Sequence, residues 1–158
     1  MFAATTHVRN VQVARPITDA IEAMDRGYTS PGAWAVYVPL ADGHWHVLSE
    51  WKFRQHTPQE VAAGILQRRA ELGITKVRYT VCDPAMFAKH RGESIAETMG
   101  RHGVVCVPGD NERELGWMRL MAAYRPAPDG VPWLTYAPEC GYSIRSIPAL
   151  LASKQNPE

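Results

Sequence analysis

The chain has 158 residues, 46% of them hydrophobic and 21% charged, with a formal net charge of +1. That length suits one domain able to bury most of its apolar surface, and that balance is that of a globular rather than a disordered protein. The near-zero charge excludes a protein-wide basic excess, although a local basic stripe is enough to follow phosphates. Arginine outnumbers lysine, and arginine is the better bidentate phosphate partner, but a GC-rich genome produces the same bias. No apolar run reaches membrane-spanning length and no basic-then-apolar leader opens the chain, so no membrane partner is expected. Cys82, Cys106 and Cys140 form no C-x-x-C pair. Neither a disulfide framework nor a zinc ribbon follows, and a reducing cytoplasm is the simplest setting.

In chain order, residues 1–18 show little periodicity and read as an irregular lead-in to a domain over 19–152, with 153–158 a tail. Ala20-Ile21-Glu22-Ala23-Met24 predicts a strand ending at Asp25. Ala33 to Leu40 and Trp45 to Phe53 are rich in Val, Trp and Tyr, and the Asp42-Gly43 pair between them signals a hairpin. Strict alternation would place Trp45, Val47, Trp51 and Phe53 on one face, with Glu50 and Lys52 on the other. Thr57-Pro58-Gln59-Glu60 is a capping box with proline at the first helical position, opening a helix that ends at Gly73.

Val77 to Cys82 predicts the next strand, closed by Asp83-Pro84, and Ser94 with Glu97 caps a helix running to about Gly103. Val104 to Val107 is a short strand, Asn111 the expected cap of the following helix, Trp133 to Tyr136 a last strand and Tyr142 to Leu151 a last helix despite Pro148. An antiparallel meander followed by β-α-β crossovers implies an α/β mixed sheet with helices on its faces. That succession is the signature of a ribonuclease H-like fold, in which the fourth strand lies parallel to the first and beside it.

Asp25 and Asp83 would then project from neighbouring strand ends. Two close carboxylates repel unless a cation lies between them, and Mg²⁺ or Mn²⁺ takes carboxylate oxygen while keeping water and phosphate as remaining ligands. Two such ions can drive phosphodiester hydrolysis, a mechanism that wants a third or fourth acid. An aspartate beside a turn also serves by accepting the backbone N–H two residues on, and the pattern by itself leaves both readings open.

Other candidates carry weaker signals. His90 follows Asp83 in a loop, where solvated histidines are common, and Glu50 is a polar-face strand residue able to join a metal shell. Asp110 and Asn111 precede a helix and suit capping better than ion binding. Lys89, Arg91, Arg101, Arg113 and Arg119 could line a DNA path, each also readable as a surface charge. No G-x-x-x-x-G-K-[ST] stretch is present, which excludes a P-loop ATPase within the chain.

Across Ala23 to Glu158 an ordered set of motifs resembles the C-terminal nuclease domain of tailed-phage terminase large subunits. It comprises Asp25-Arg26-Gly27-Tyr28-Thr29-Ser30-Pro31-Gly32-Ala33, the Asp42-Gly43 hairpin leading to Glu50, Asp83-Pro84, Gly92-Glu93-Ser94-Ile95-Ala96 and Gly103-Val104. Asn111-Glu112-Arg113-Glu114-Leu115-Gly116-Trp117, Gly130-Val131-Pro132-Trp133-Leu134, Cys140 and Ile144-Arg145-Ser146-Ile147-Pro148 complete it. The resemblance implies a Mg²⁺- or Mn²⁺-dependent endonuclease with Asp25 and Asp83 as catalytic metal ligands, cutting concatemeric double-stranded viral DNA in the host cytoplasm. An ATPase domain, a small terminase subunit and a portal are its implied partners.

In the family a third metal aspartate lies in an acidic helix beyond the point matching Asn156-Pro157-Glu158. No residue here matches it, so weakened activity is the expectation. The alternatives from the same residues are a non-catalytic DNA-binding or docking module and a different ribonuclease H-like nuclease such as a junction resolvase.

Overall fold

The computed structural model describes residues 1–89 and 92–152. Six strands, β1 (Ala20–Asp25), β2 (Gly32–Pro39), β3 (Trp45–Phe53), β4 (Val77–Cys82), β5 (Cys106–Pro108) and β6 (Leu134–Tyr136), form one sheet in the order β5-β4-β1-β2-β3-β6. The pairs β1–β2 and β2–β3 are antiparallel, whereas β1–β4, β4–β5 and β3–β6 are parallel. The expected mixed α/β sheet of the ribonuclease H-like type is present, with the fourth strand beside the first.

Helices α1 (Ala4–His7), α2 (Pro58–Leu72), α3 (Ile95–Arg101), α4 (Arg113–Ala123) and α5 (Gly141–Ala152) cover the two faces unequally. One face packs Met24, Trp34, Val36 and Phe53 against Val61 and Ile65 of α2 and Met99 of α3. On the other, Val47, Leu134 and Tyr136 pack with Phe2, Tyr124, Cys140 and Ile147, confining the second core to the β3–β6 end. The β4–β1 part of that second face lies outside this core.

Both capping boxes form as read. Thr57 Oγ1 accepts the Glu60 N–H at 3.3 Å, and Ser94 Oγ accepts the Glu97 N–H at 3.1 Å. Gly73 ends α2 in the left-handed conformation at φ 68°, which glycine adopts without a Cβ penalty. Three local expectations change. Helix α1 occupies part of the lead-in, held because buried His7 stacks on Phe2 and approaches the Tyr124 carbonyl at 3.1 Å through Nε2. Helix α4 begins at Arg113 with Glu112 as its N-cap and no side-chain cap, so Asn111 does not cap it.

The third change concerns β3. Val36 pairs with Ser49 but Tyr37 pairs with Val47, which leaves Leu48 as an extra residue. Such a bulge flips the alternation. Trp45 and Val47 therefore share the second face with Glu50 and Lys52, while Trp51 and Phe53 enter the first core.

A buried ion pair ties the first layer together. Glu22, fully buried in the middle of β1, receives Arg69 Nε and Nη2 from α2 at 2.8 and 2.7 Å, and the Thr80 hydroxyl of β4 at 2.7 Å. A carboxylate without such donors would be prohibitively costly there.

Candidate active site

The register of β1 against β4 places the two aspartates. Ala23 pairs with Val81 and Met24 with Cys82, and Asp25 and Asp83 are the next residue on each strand. Adjacent strands lie about 4.8 Å apart and equal parity sends both side chains to one face. Both line a cleft of about 420 Å³ on that face of the sheet, together with Glu50, Lys52, Asp110 and Asn111.

The cleft floor follows from the same pairings. Asp25 is opposite Ala33, which is opposite Lys52, and Ala23 is opposite Ala35, which is opposite Glu50. Small side chains at Ala23, Ala33 and Ala35 leave the space that larger residues would fill. The chain turns sharply after Asp25. A Cβ on Gly27 would lie 2.1 Å from the Ser30 carbonyl oxygen, so the β1–β2 loop closes only over glycine. Arg54 Nε donates to the Thr29 carbonyl at 2.8 Å and pins that loop to the end of β3.

The acidic residues are used differently. Asp25 is exposed at its strand end. Half-buried Asp83 accepts the Ala85 N–H at 2.7 Å and so starts the 3₁₀ turn Pro84–Phe87, leaving its second oxygen free of that bond. The turn role and a site role thus coexist in one side chain. Asp110 accepts the Glu112 N–H at 3.0 Å, also a turn bond. Glu50 accepts the N–H groups of Tyr142 and Ser143 and the Ser143 hydroxyl, which makes it the anionic cap of α5.

Of the expected DNA-facing cations, Lys89 pairs with Glu97 at 2.6 Å beside α3. That bond holds the lysine above its usual range and takes the Glu97 carboxyl down to about 2. Arg101 pairs with Glu93. Arg113 and Arg119 are exposed on α4, outside the cleft lining, while His90 and Arg91 lie outside the described residues. Among the described residues the one lysine or arginine lining the cleft is Lys52, whose position two residues from Glu50 was a visible signal of shared facing. Tyr37 also borders the cleft, and burial holds its phenol protonated, pushed up to about 12.

Two carboxylate donors on one face suit a hard divalent ion that keeps water in its remaining positions. Among the described residues, no group of three or more His, Cys, Asp or Glu side chains is placed to hold a metal ion. Asp25 and Asp83 are the side chains that would hold such an ion.

The overall fold is shared with solved structures. The large terminase of a thermophilic bacteriophage, in complex with ATP-γ-S, matches with a TM-score of 0.75 and 18% identity over 94% of this chain and 36% of that one. The P22 large terminase nuclease domain matches with a TM-score of 0.65 and 17% identity, covering 89% of this chain and 72% of that domain. The chain has the fold of a large-terminase nuclease domain. It spans about a third of the length of the thermophilic-phage large terminase it matches. The sequence matches no protein-family model and no curated protein. Among the described residues no helix is long and apolar enough to cross a membrane.

Proposed function

We propose that this chain is the metal-dependent endonuclease module of a viral DNA-packaging terminase, hydrolysing phosphodiester bonds of concatemeric duplex DNA in the host cytoplasm. The observation that carries this reading is the placement of Asp25 and Asp83 on adjacent parallel strand ends, over an alanine floor, in a sheet with the terminase nuclease topology. An ATPase domain, a small terminase subunit and a portal are the partners that this reading supplies.

Asp25 and Asp83 would hold Mg²⁺ or Mn²⁺, and the ion when bound supplies water activation and neutralises phosphate charge. The chain's own part is positional. Asp83 is oriented by its bond to the Ala85 N–H, and Asp25 by the tight loop that Gly27 permits. The alanine floor admits a backbone phosphate, and Glu50 fixes α5 as one wall.

The test is plasmid cleavage in Mg²⁺ and in Mn²⁺ by the wild type, Asp25→Asn and Asp83→Asn. Cleavage lost in both variants supports the reading, and equal cleavage in all three overturns it. A second reading, a non-catalytic DNA-binding or docking module, is favoured by the lack of a third acidic ligand beside the pair among the described residues. DNA binding without cutting in either metal would select it.

A further inference from the structure

Lys52 is the one lysine or arginine among the described residues lining the acidic cleft, and its setting is built rather than incidental. It follows Asp83, Asp25 and Ala33 in one row across β4, β1, β2 and β3. At about 4.8 Å per strand, the row spans about 14 Å from Asp83 to Lys52. Its ammonium lies 4.4 Å from the centroid of the Tyr142 ring in the first turn of α5. A ring face attracts a cation without neutralising it. Glu50, the nearest acid along β3, spends its oxygens on the N–H groups of Tyr142 and Ser143. The same Glu50 bonds that seat α5 therefore place the ring that holds the lysine. Among the described residues Lys52 has no carboxylate within ion-pair distance.

A charge held on an aromatic face, unneutralised, across a floor of small residues from two strand-end carboxylates is arranged for an anion that lies over that floor. We propose that Lys52 is a positioning residue which binds a backbone phosphate of the DNA strand crossing the cleft, with Tyr142 orienting its ammonium. The identity of the anion as DNA phosphate rests on the nuclease reading, while the presence of an anion subsite rests on the geometry alone. Lysine acts here as a point charge, so it contributes affinity and alignment rather than sequence choice.

The experiment uses the 158-residue chain and a short fluorescein-labelled DNA duplex, with anisotropy recorded in EDTA over a salt series and cleavage recorded in Mn²⁺. Lys52→Gln should weaken metal-free binding about 5- to 10-fold and flatten the slope of log K against log salt by about 0.9, the loss of one phosphate contact. Lys52→Arg should restore most of both, and Tyr142→Phe should bind as wild type while Tyr142→Ala shifts toward Lys52→Gln. In cleavage, Lys52→Gln should raise KM more than it lowers kcat. Unchanged affinity and slope in Lys52→Gln overturns the inference, even where Asp25→Asn abolishes cutting and the nuclease reading stands. A wild type that never cuts, with the Lys52→Gln binding loss intact, overturns the nuclease reading and supports the anion subsite.

Discussion

Glu50 in β3 and Ser143 in α5 are joined by the Ser143 N–H, 3.1 Å from Glu50 Oε2, and by the Ser143 hydroxyl, so a strand carboxylate caps a helix whose serine lies 93 residues further along the chain. Hydrogen bonds to a charged acceptor contribute about 1.5–3 kcal/mol each when they are buried. Because Glu50 is half-buried, Glu50→Ala should cost about 2 kcal/mol, read as a lower urea midpoint with an unchanged m-value. An unaltered midpoint would show that α5 is seated by its apolar contacts alone.

Glu22 and Arg69 make a stronger case. Removing one member of a buried pair leaves an uncompensated charge, at about 3–5 kcal/mol, whereas replacing both with apolar groups can be near neutral. Arg69→Met should therefore unfold far more easily than the double variant Glu22→Leu/Arg69→Met. A double variant no more stable than Arg69→Met would contradict this account.

Both ring nitrogens of buried His44 face acceptors, Nδ1 the Pro132 carbonyl at 2.9 Å and Nε2 the Asp129 carboxylate at 3.0 Å. Only the imidazolium donates on both sides. The Pro132 carbonyl and then Asp129, with a smaller contribution from Asp42, raise its pKa against the opposing effect of burial. A raised native pKa means a contribution that is complete below the unfolded value of about 6.5 and lost as pH climbs through the native value. His46 has the opposite sign: burial lowers its pKa, so its contribution is lost on acidification. Comparison with Asp129→Asn isolates His44. The Tm advantage of wild type over Asp129→Asn should be largest near about pH 6 and shrink by about pH 8.5, and a constant advantage would sink the assignment.

Under the nuclease reading, Asp25 and Asp83 share a bound cation. Asp25→Asn should therefore leave the metal-free Tm unchanged or slightly raised, as expected where a site is kept at the expense of stability. Wild type should gain Tm as Mn²⁺ is added, by linkage to the folded state, and Asp25→Asn should not. Equal Mn²⁺ responses in the two proteins would remove Asp25 from the metal site.

The parts legible in the sequence were those governed by short-range chemistry. Thr57 with Glu60 and Ser94 with Glu97 are contacts three residues apart, Gly73 is a backbone preference, and Asp83-Pro84 is a turn whose carboxylate reaches only two residues on. The alternation of strands and helices implied the mixed sheet because parallel neighbours need crossovers. The bulge at Leu48 was not legible, since β3 itself contains no glycine or proline and the extra residue is visible only against β2.

The sequence by itself determined most of the elements, the sheet class and the strand-end positions of Asp25 and Asp83, because periodicity, capping and turn signals are properties of neighbours along the chain. Only the tertiary structure decided which charges meet. It turned Glu50 from a candidate ligand into the cap of α5, sent Lys89 to Glu97 and set Lys52 in the cleft beside Tyr142. Those partners come from distant elements, and the choice among carboxylates and cations of similar local context depends on register and packing, which long-range contacts alone settle.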